Sequence, residues 1–269
     1  MKKRRLFPLY IGVILAIMYI PILLVIIYSF NQSRLSSVWS GFTLFWYREL
    51  FRDRSMFEAL RNSLVLGLLA SLSSAIIGAL GAAGMARARP ELMGRARIAG
   101  GKIMEYLSIL PIMIPEIIMG MIFLAFFSLL ALPFGMLTLL IAHTTFCIPY
   151  TYLLVRARLA GLDKSYVEAA RIMGAGGMRA FYDITLPLAL PAVLSGMLIS
   201  FAMSFDDVIV SVFVTGVHTN TLPIKIYSQI KTGVTPKTNA LCTLLFVLTA
   251  ALCFAAAALA RRKPADRPD

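Results

Sequence analysis

Glu168-Ala-Ala-Arg-Ile-Met-Gly174, nine further residues, then Ile184-Thr-Leu-Pro187 is the stretch on which the reading of this chain turns. Its first part carries good helix formers behind Ser165, which suits an N-cap with Glu168 at the third position. Gly174, Gly176 and Gly177 then interrupt the pattern. A second short helix over about 178–184 is expected before Leu186-Pro187, and Pro187 and Pro191 suit the first turn of the helix after it. The product is a polar helix–bend–helix inserted between strongly apolar runs, with two adjacent alanines that permit close approach. An insert of this kind passes force or a signal to a soluble partner.

The apolar runs on either side set the class. The chain has 269 residues, 59% of them hydrophobic, with mean hydropathy +0.81, against about 45–50% apolar in ordinary soluble domains. Six runs are long enough to cross about 30 Å of hydrocarbon: 7–30, 62–86, 105–129, 135–155, 188–210 and 239–260, with a short turn at Pro133-Phe134-Gly135 between the third and fourth. Only helices satisfy their own backbone in lipid without closing into a barrel, so an all-α membrane bundle is expected. Met1-Lys-Lys-Arg-Arg before an apolar run resembles the start of a signal peptide. The run to Phe30 is too long for that, and no Ala-x-Ala site follows, so it reads as a retained first span. In the second span Ser71, Ala75, Ala79 and Ala83, with Ser74, Gly78, Ala82 and Ala86 beside them, form small-residue rows that let helix backbones pack closely. Cys147, Cys242 and Cys253 lie in apolar stretches without metal or redox spacing and read as small buried hydrophobes. No metal site is expected.

Net charge is +13. The basic residues cluster beside the apolar runs, which suits cytoplasmic membrane flanks and lipid contact rather than nucleic acid. With the N-terminus inside, 18 of the 26 Lys and Arg fall on the cytoplasmic side and 8 outside. The positive-inside rule therefore places both termini, and the Glu168 segment, in the cytoplasm.

Charged groups within the spans are costly, about 2.5–3.5 kcal/mol for Asp at mid-bilayer, and so are functional candidates. Asp206-Asp207 interrupt an apolar run from Leu188 to Val214 that would be about 40 Å long as one helix. A bend or end near the pair is expected. Adjacent residues on a helix point about 100° apart, so one carboxylate can face a central path and the other a neighbouring helix; a membrane-edge cap or an internal ion pair is the competing reading. Glu116 follows Pro111 and Pro115, which predict a kink whose carboxylate lines a cation path. His143, alone in the fourth span, reads as a satisfied packing residue. Gly100-Gly101-Lys102-Ile103 lacks the first glycine and the hydroxyl of a phosphate-binding loop, and neither G-x-S-x-G nor H-E-x-x-H occurs. No catalytic residue or cofactor is expected, and ATP, if used, is used by another chain.

The Glu-Ala-Ala, three residues, Gly, nine residues, Ile-x-Leu-Pro spacing resembles the EAA loop of ABC-importer permeases. Further stretches sharpen the likeness: 39–47 (Trp-Ser-Gly-Phe-Thr-Leu-Phe-Trp-Tyr), 142–149 (Ala-His-Thr-Thr-Phe-Cys-Ile-Pro), 204–216 around Asp206-Asp207, Leu222-Pro-Ile-Lys-Ile-Tyr-Ser, and Lys231-Thr-Gly-Val-Thr-Pro. Together they are similar to the C-type permease subunit of spermidine/putrescine ABC importers, from the first span to about residue 260. The resemblance implies the type I ABC-importer transmembrane fold. It further implies that Glu168, Ala169, Ala170 and Gly174 couple to an ATP-binding subunit dimer, with a second homologous permease and an extracytoplasmic binding protein as partners. It assigns polyamine passage to Trp46, Glu116, Ser204, Asp206 and Asp207; Glu116 departs from the Asp expected there.

The implied division is 1–60 (first helix and outer loop), 61–260 (core permease domain with the EAA loop at 165–187) and 261–269 (cytoplasmic tail). The implied location is the bacterial cytoplasmic (inner) membrane. Polyamines call for separated carboxylates and aromatic faces, the latter worth about 0.5–2 kcal/mol through cation–π contact. Rival readings are the same fold with thiamine, an opine-like amine or ferric iron as cargo, an intramembrane hydrolase, and a non-transporting membrane scaffold. In the outer loop 215–238, Pro223, Ile226, Ile230 and Gly233 predict a short helix.

Overall fold

A computed structural model describes residues 3–34, 38–87, 95–163, 165–217 and 219–261. Lys2, Arg89, Lys164, Arg262, Lys263, Arg267 and the tail from 262 onward, which entered the orientation and domain readings, lie outside the described residues. Every described regular element is helical, apart from one antiparallel bridge between Asn31 and Phe42. In chain order the helices are α1 (Lys3–Tyr28), α2 (Phe45–Arg52), α3 (Arg54–Arg87), α4 (Arg95–Met113), α5 (Glu116–Leu129), α6 (Met136–Ala160), α7 (Ser165–Ile172), α8 (Gly177–Ala180), α9 (Leu186–Asp206), α10 (Ile209–Val214), α11 (Leu222–Thr232) and α12 (Pro236–Arg261). By length and apolarity, four described stretches can cross a membrane: Tyr10–Tyr28, Arg54–Ala86, Met136–Ala160 and Gly177–Asp206. The pair α4–α5 makes a fifth if it is one broken span.

Three local expectations are corrected. The third apolar run is not kinked but broken: Ile103–Met113 and Glu116–Leu129 meet at 108°. Pro115 has no N–H and its ring drives Ile114 out of helical conformation, so the chain leaves one helix and starts another with Glu116 in its first turn. Ser165 is the first residue of α7 rather than its cap; Asp163 accepts the Ser165 backbone N–H at 2.9 Å. The backbone and hydroxyl of Ser165 both hold the Asp163 carboxyl below its usual range. Finally, the second short helix precedes Leu186 and Pro187 falls in the first turn of α9, as expected, but Pro191 lies inside α9 and no break separates the two stretches. The chain stays helical from Gly177 to Asp206 through a π turn at Phe181–Thr185. Pro187 cannot donate to the carbonyl four residues back, and a widened turn accommodates that loss.

The chain divides into two compact units, Met1–Phe57 with Ile226–Asp269, and Glu58–Lys225. In the first unit α12 packs on α1 and α2. The connection from α1 to α2 is organised by Asn31, which is fully buried. Its amide donates to the Val38 carbonyl at 2.7 Å and accepts the Ser40 N–H at 3.0 Å, while its backbone carbonyl takes the Trp46 indole N–H at 2.7 Å. Phe30 stacks on Phe42 and tilts against Tyr47. Asp53 pairs with Lys237 at 2.7 Å. Partial burial pushes the Asp53 carboxyl up, but the Lys237 hydrogen bond, the Ser55 hydroxyl, the Lys237 charge and the Met56 N–H outweigh it and hold it down to about 2. The folded value lies below the usual 3.8, so the stabilisation is complete above about pH 4 and is lost as pH falls toward 2. A partly exposed pair of this kind contributes up to about 1 kcal/mol. Melting of Asp53→Asn against the parent is therefore expected to differ at pH 5 and to converge by pH 2.

In the second unit α6 is the central helix. Leu66, Met119, Phe127, Leu139, Ala142, Phe146, Cys147, Val210 and Val214 form one buried cluster, and Ala79, Ala82, Tyr152, Val155 and Ala189 form another. The small row of α3 is buried at Ser71, Ser74, Ala75, Ala79, Ala82 and Ala83, whereas Ala86 is exposed. Helix α6 also meets α9, in antiparallel register. Gly196 lies on Thr151, Ser200 exchanges contacts with Cys147 at 3.3 Å, and Ser204 meets His143. Each step is four residues on both helices, so the three rungs lie on one face of each. Near the other end of α6, Arg156 forms an ion pair with Glu105 of α4.

Candidate functional site

Helix α9 stops at Asp206 because Asp207 turns extended, with φ −67° and ψ 126°. The Asp207 carboxylate then accepts the backbone N–H of Val210 at 3.2 Å and of Ser211 at 2.8 Å. These are orphan donors at the start of α10, so Asp207 acts as its cap. It also accepts the Ser211 hydroxyl at 2.7 Å. At the far end of α10 the Thr138 hydroxyl donates to the Val214 carbonyl at 2.9 Å. The six-residue helix is therefore pinned at both ends.

His143 bridges the break. It is fully buried; its Nδ1 lies 2.8 Å from the Ser204 hydroxyl on α9, and its Nε2 lies 3.0 Å from the Ser211 hydroxyl on α10. Asp207 Oδ2 is 3.5 Å from the same Nε2. The histidine is a satisfied residue, as the sequence suggests, but it joins two candidate site residues that sequence pattern does not connect. Asp207 and Ser204 thus belong to one network, and the Asp207 side chain is only 6% exposed.

Asp206 differs from its neighbour. It is exposed, and among the described residues it has no hydrogen-bond or ion-pair partner. Glu116 is likewise exposed in the first turn of α5, where the helix N-terminus favours a negative charge. Tyr150, two turns along α6 from His143, is half-buried, and Cys147 between them is fully buried. Sequence reading does not single out Tyr150; the usable signal is the i, i+4, i+7 spacing of His143, Cys147 and Tyr150 on one helix face. Trp46 belongs to the other unit. The residue is 8% exposed and its indole N–H donates to the Asn31 carbonyl, while Trp39, Phe42 and Phe45 are exposed.

The Glu168 segment forms a second cluster. Helix α7 ends in a Schellman turn: Ala175 donates to the Ala170 carbonyl at 2.9 Å and Gly174 to that of Arg171 at 3.0 Å. Gly174 has φ +88°, a conformation that side chains with a Cβ resist. Glu168 and Ala169 are exposed, and Ala170 is buried. One turn on, Ile172 and Met173 are 87% and 81% exposed. Glu168, Ala169, Ile172 and Met173 therefore share an open face that joins one carboxylate to an apolar patch.

Comparison with known proteins agrees with this architecture. Residues 92–263 match the family described as binding-protein-dependent transport system inner membrane component. The spermidine/putrescine transport system permease protein PotC of Haemophilus influenzae is 40% identical over 240 residues, covering 89% of this chain and 90% of that protein. The putrescine transport system permease protein PotI of Escherichia coli strain K12 is 38% identical over 234 residues, covering 85% and 81%. A chain of a bacterial ABC transporter involved in the import of the acidic polysaccharide alginate superposes with a TM-score of 0.70 over 98% of this chain and 99% of its own, at 16% identity, which speaks to the fold alone. The chain belongs to the family of binding-protein-dependent transport system inner membrane components.

Proposed function

We propose that this chain is a permease subunit of an ATP-driven importer and that its cargo is a polyamine, spermidine or putrescine. The single observation that carries the cargo is the exposed carboxylate of Asp206, without a partner among the described residues, in a chain 40% identical to a relative named for spermidine/putrescine transport. A charge left without a partner in an apolar segment is costly, and a passing ammonium offsets that cost. Glu116 supplies a second carboxylate and Tyr150 an aromatic face; Ser204 and Asp207 hold the break in shape. Trp46 fixes the outer loop around Asn31. Thiamine, an opine-like amine or ferric iron in the same fold is the nearest alternative.

In this reading six helices span the bacterial cytoplasmic membrane, with both termini inside, the third span being the broken α4–α5 pair. The chain binds no nucleotide. An ATP-binding subunit dimer docks on the face of Glu168, Ala169, Ile172 and Met173, Ala170 seats that helix, and Gly174 ends it. A second, homologous permease completes the pathway, and an extracytoplasmic binding protein delivers cargo. Closure of the ATPase dimer moves α7 and rocks the bundle between outward and inward access.

The test is uptake of labelled spermidine and putrescine by the assembled importer in a strain lacking its own system. No uptake of either, with ATPase stimulation by another cargo, would overturn the polyamine assignment. Glu168→Ala tests the docking face separately. Glu168 is exposed and Ala is a good helix former, so folding is expected to be unchanged. Loss of one docking contact of about 1.4 kcal/mol lowers ATPase stimulation about tenfold. Stimulation equal to the parent's would remove Glu168 from the coupling face.

A further inference from the structure

We propose that His143 is a positioning residue that fixes the place of Asp206 relative to Glu116 and so sets which length of polyamine the pathway prefers. This rests on the polyamine reading above. The Ser211 hydroxyl spends its proton on Asp207 Oδ2 at 2.7 Å, so toward His143 it can only accept. Nε2 therefore carries the imidazole proton and donates to Ser211 at 3.0 Å. Nδ1 is then the acceptor, and the Ser204 hydroxyl donates to it at 2.8 Å. One tautomer satisfies every group, and the bonds run in a single direction from Ser204 through His143 and Ser211 to Asp207.

The ends of that relay lie on opposite sides of a helix break. Ser204 is on α9 and Ser211 on α10, while His143 stands on α6, fully buried. A phenylalanine would fill similar space without placing polar atoms in an apolar interior. What the imidazole adds is one directional bond to each side of the break. Asp206 sits at the break, so its placement follows the angle that His143 holds.

Helix α10 carries the constraint further. Val210 and Val214 pack with Met119 and Phe127 of α5, and Phe213 lies against Gly120, where a Cβ would overlap its ring. Helix α5 begins at Glu116. The carboxylates of Asp206 and Glu116 are thus linked through α10 and the imidazole clamp. Asp207 accepts three hydrogen bonds from Val210 and Ser211, which leaves little capacity for an ammonium and reserves that task for Asp206 and Glu116. A ligand with charges at a fixed separation is sensitive to this placement; a singly charged one is not.

The experiment uses the assembled importer with His143→Leu, His143→Gln and Ser211→Ala. One measurement is competition of labelled spermidine uptake by α,ω-diamines of increasing length. The other is amide exchange at Val210 and Ser211. His143→Leu is expected to flatten the length preference at least about threefold while Vmax for spermidine stays within about twofold, and to speed exchange at both amides. Ser211→Ala should do the same, and His143→Gln, which keeps a donor, should recover part of the preference. Unchanged exchange in His143→Leu overturns the clamp. Faster exchange with all diamines weakened in equal proportion overturns the specificity role, because a structural defect alone behaves that way. If the parent takes up no polyamine, the cargo reading falls and the length preference with it, while amide exchange still decides the clamp.

Discussion

Asp206→Asn is expected to lower polyamine uptake by about 10- to 150-fold with the permease still folded, whereas Asp207→Asn is expected to lower the amount of folded permease. The two side chains are adjacent in sequence but differ in what they touch. Asp206 is exposed and unpartnered among the described residues, so replacing its charge removes nothing from the fold. Its contribution is to an ammonium in transit. A hydrogen bond to a charged group is worth about 1.5–3 kcal/mol, which sets the range given and places the effect in apparent affinity. Asp207 is filled from within, by Val210, Ser211 and the Ser211 hydroxyl. An asparagine there keeps the shape but turns an NH₂ toward one of these donors. Leaving buried donors unmet costs about 1–3 kcal/mol, enough to loosen the start of α10. Uptake per folded molecule and thermal melting separate the cases. Equal uptake losses in both variants at equal melting temperature would show that the carboxylates share one role.

Much of the fold is legible from run length alone. A run such as 62–86 has no alternative in lipid but a helix, and α1, α3, α6, α9 and α12 lie where the apolar runs predict them. Helix α11 is legible from Pro223, Ile226, Ile230 and Gly233. The break at Pro115 is not. A proline can kink or divide a helix, and the outcome depends on what holds the second half. Here α10 packs on α5 through Gly120, Phe213, Val210 and Val214, contacts that exist only in the folded chain. The cap of α7 is lost for a smaller reason: Asp163 and Ser165 are both good cap formers two residues apart, and their own sequence does not rank them.

The site is legible in outline only. The 100° offset between adjacent residues implies separate roles for Asp206 and Asp207, but assigning them requires knowing where α9 ends. His143 has no sequence partner, because Ser204 and Ser211 reach it from separate helices. A signal for the α6–α9 register does exist. Ala192, Gly196, Ser200 and Ser204 repeat every four residues, a small-residue row of the same kind as the one in α3. That row identifies Ser204 as a packing and hydrogen-bonding position before any question of cargo arises.

Gly196→Val and Gly78→Val are expected to cause the largest losses of folded permease. Thr151 and Tyr152 of α6 lie between these two glycines. A Cβ at Gly196 would come within 2.7 Å of the Thr151 Cα, and one at Gly78 within 2.9 Å of the Tyr152 backbone N. The obstacle in each case is backbone, which cannot turn aside as a flexible side chain can, so the helices must separate. Overpacking of this kind costs about 1–3 kcal/mol per site, occasionally more. The damage also travels. Spreading α9 from α6 at Gly196 weakens the next rung, Ser200 on Cys147 at 3.3 Å, and then the Ser204 bond to His143 at 2.8 Å. The protein that does fold should therefore show faster amide exchange at Val210 and Ser211, two turns and more beyond the substitution. Gly84→Ala, on the same helix as Gly78 but with nothing within 4 Å, should melt like the parent or gain up to about 1 kcal/mol from better helix propensity. Yield of monodisperse permease in detergent and its melting temperature check all three variants. Parental melting in Gly196→Val would mean that α6 and α9 are not in the close register that places His143 across the helix break.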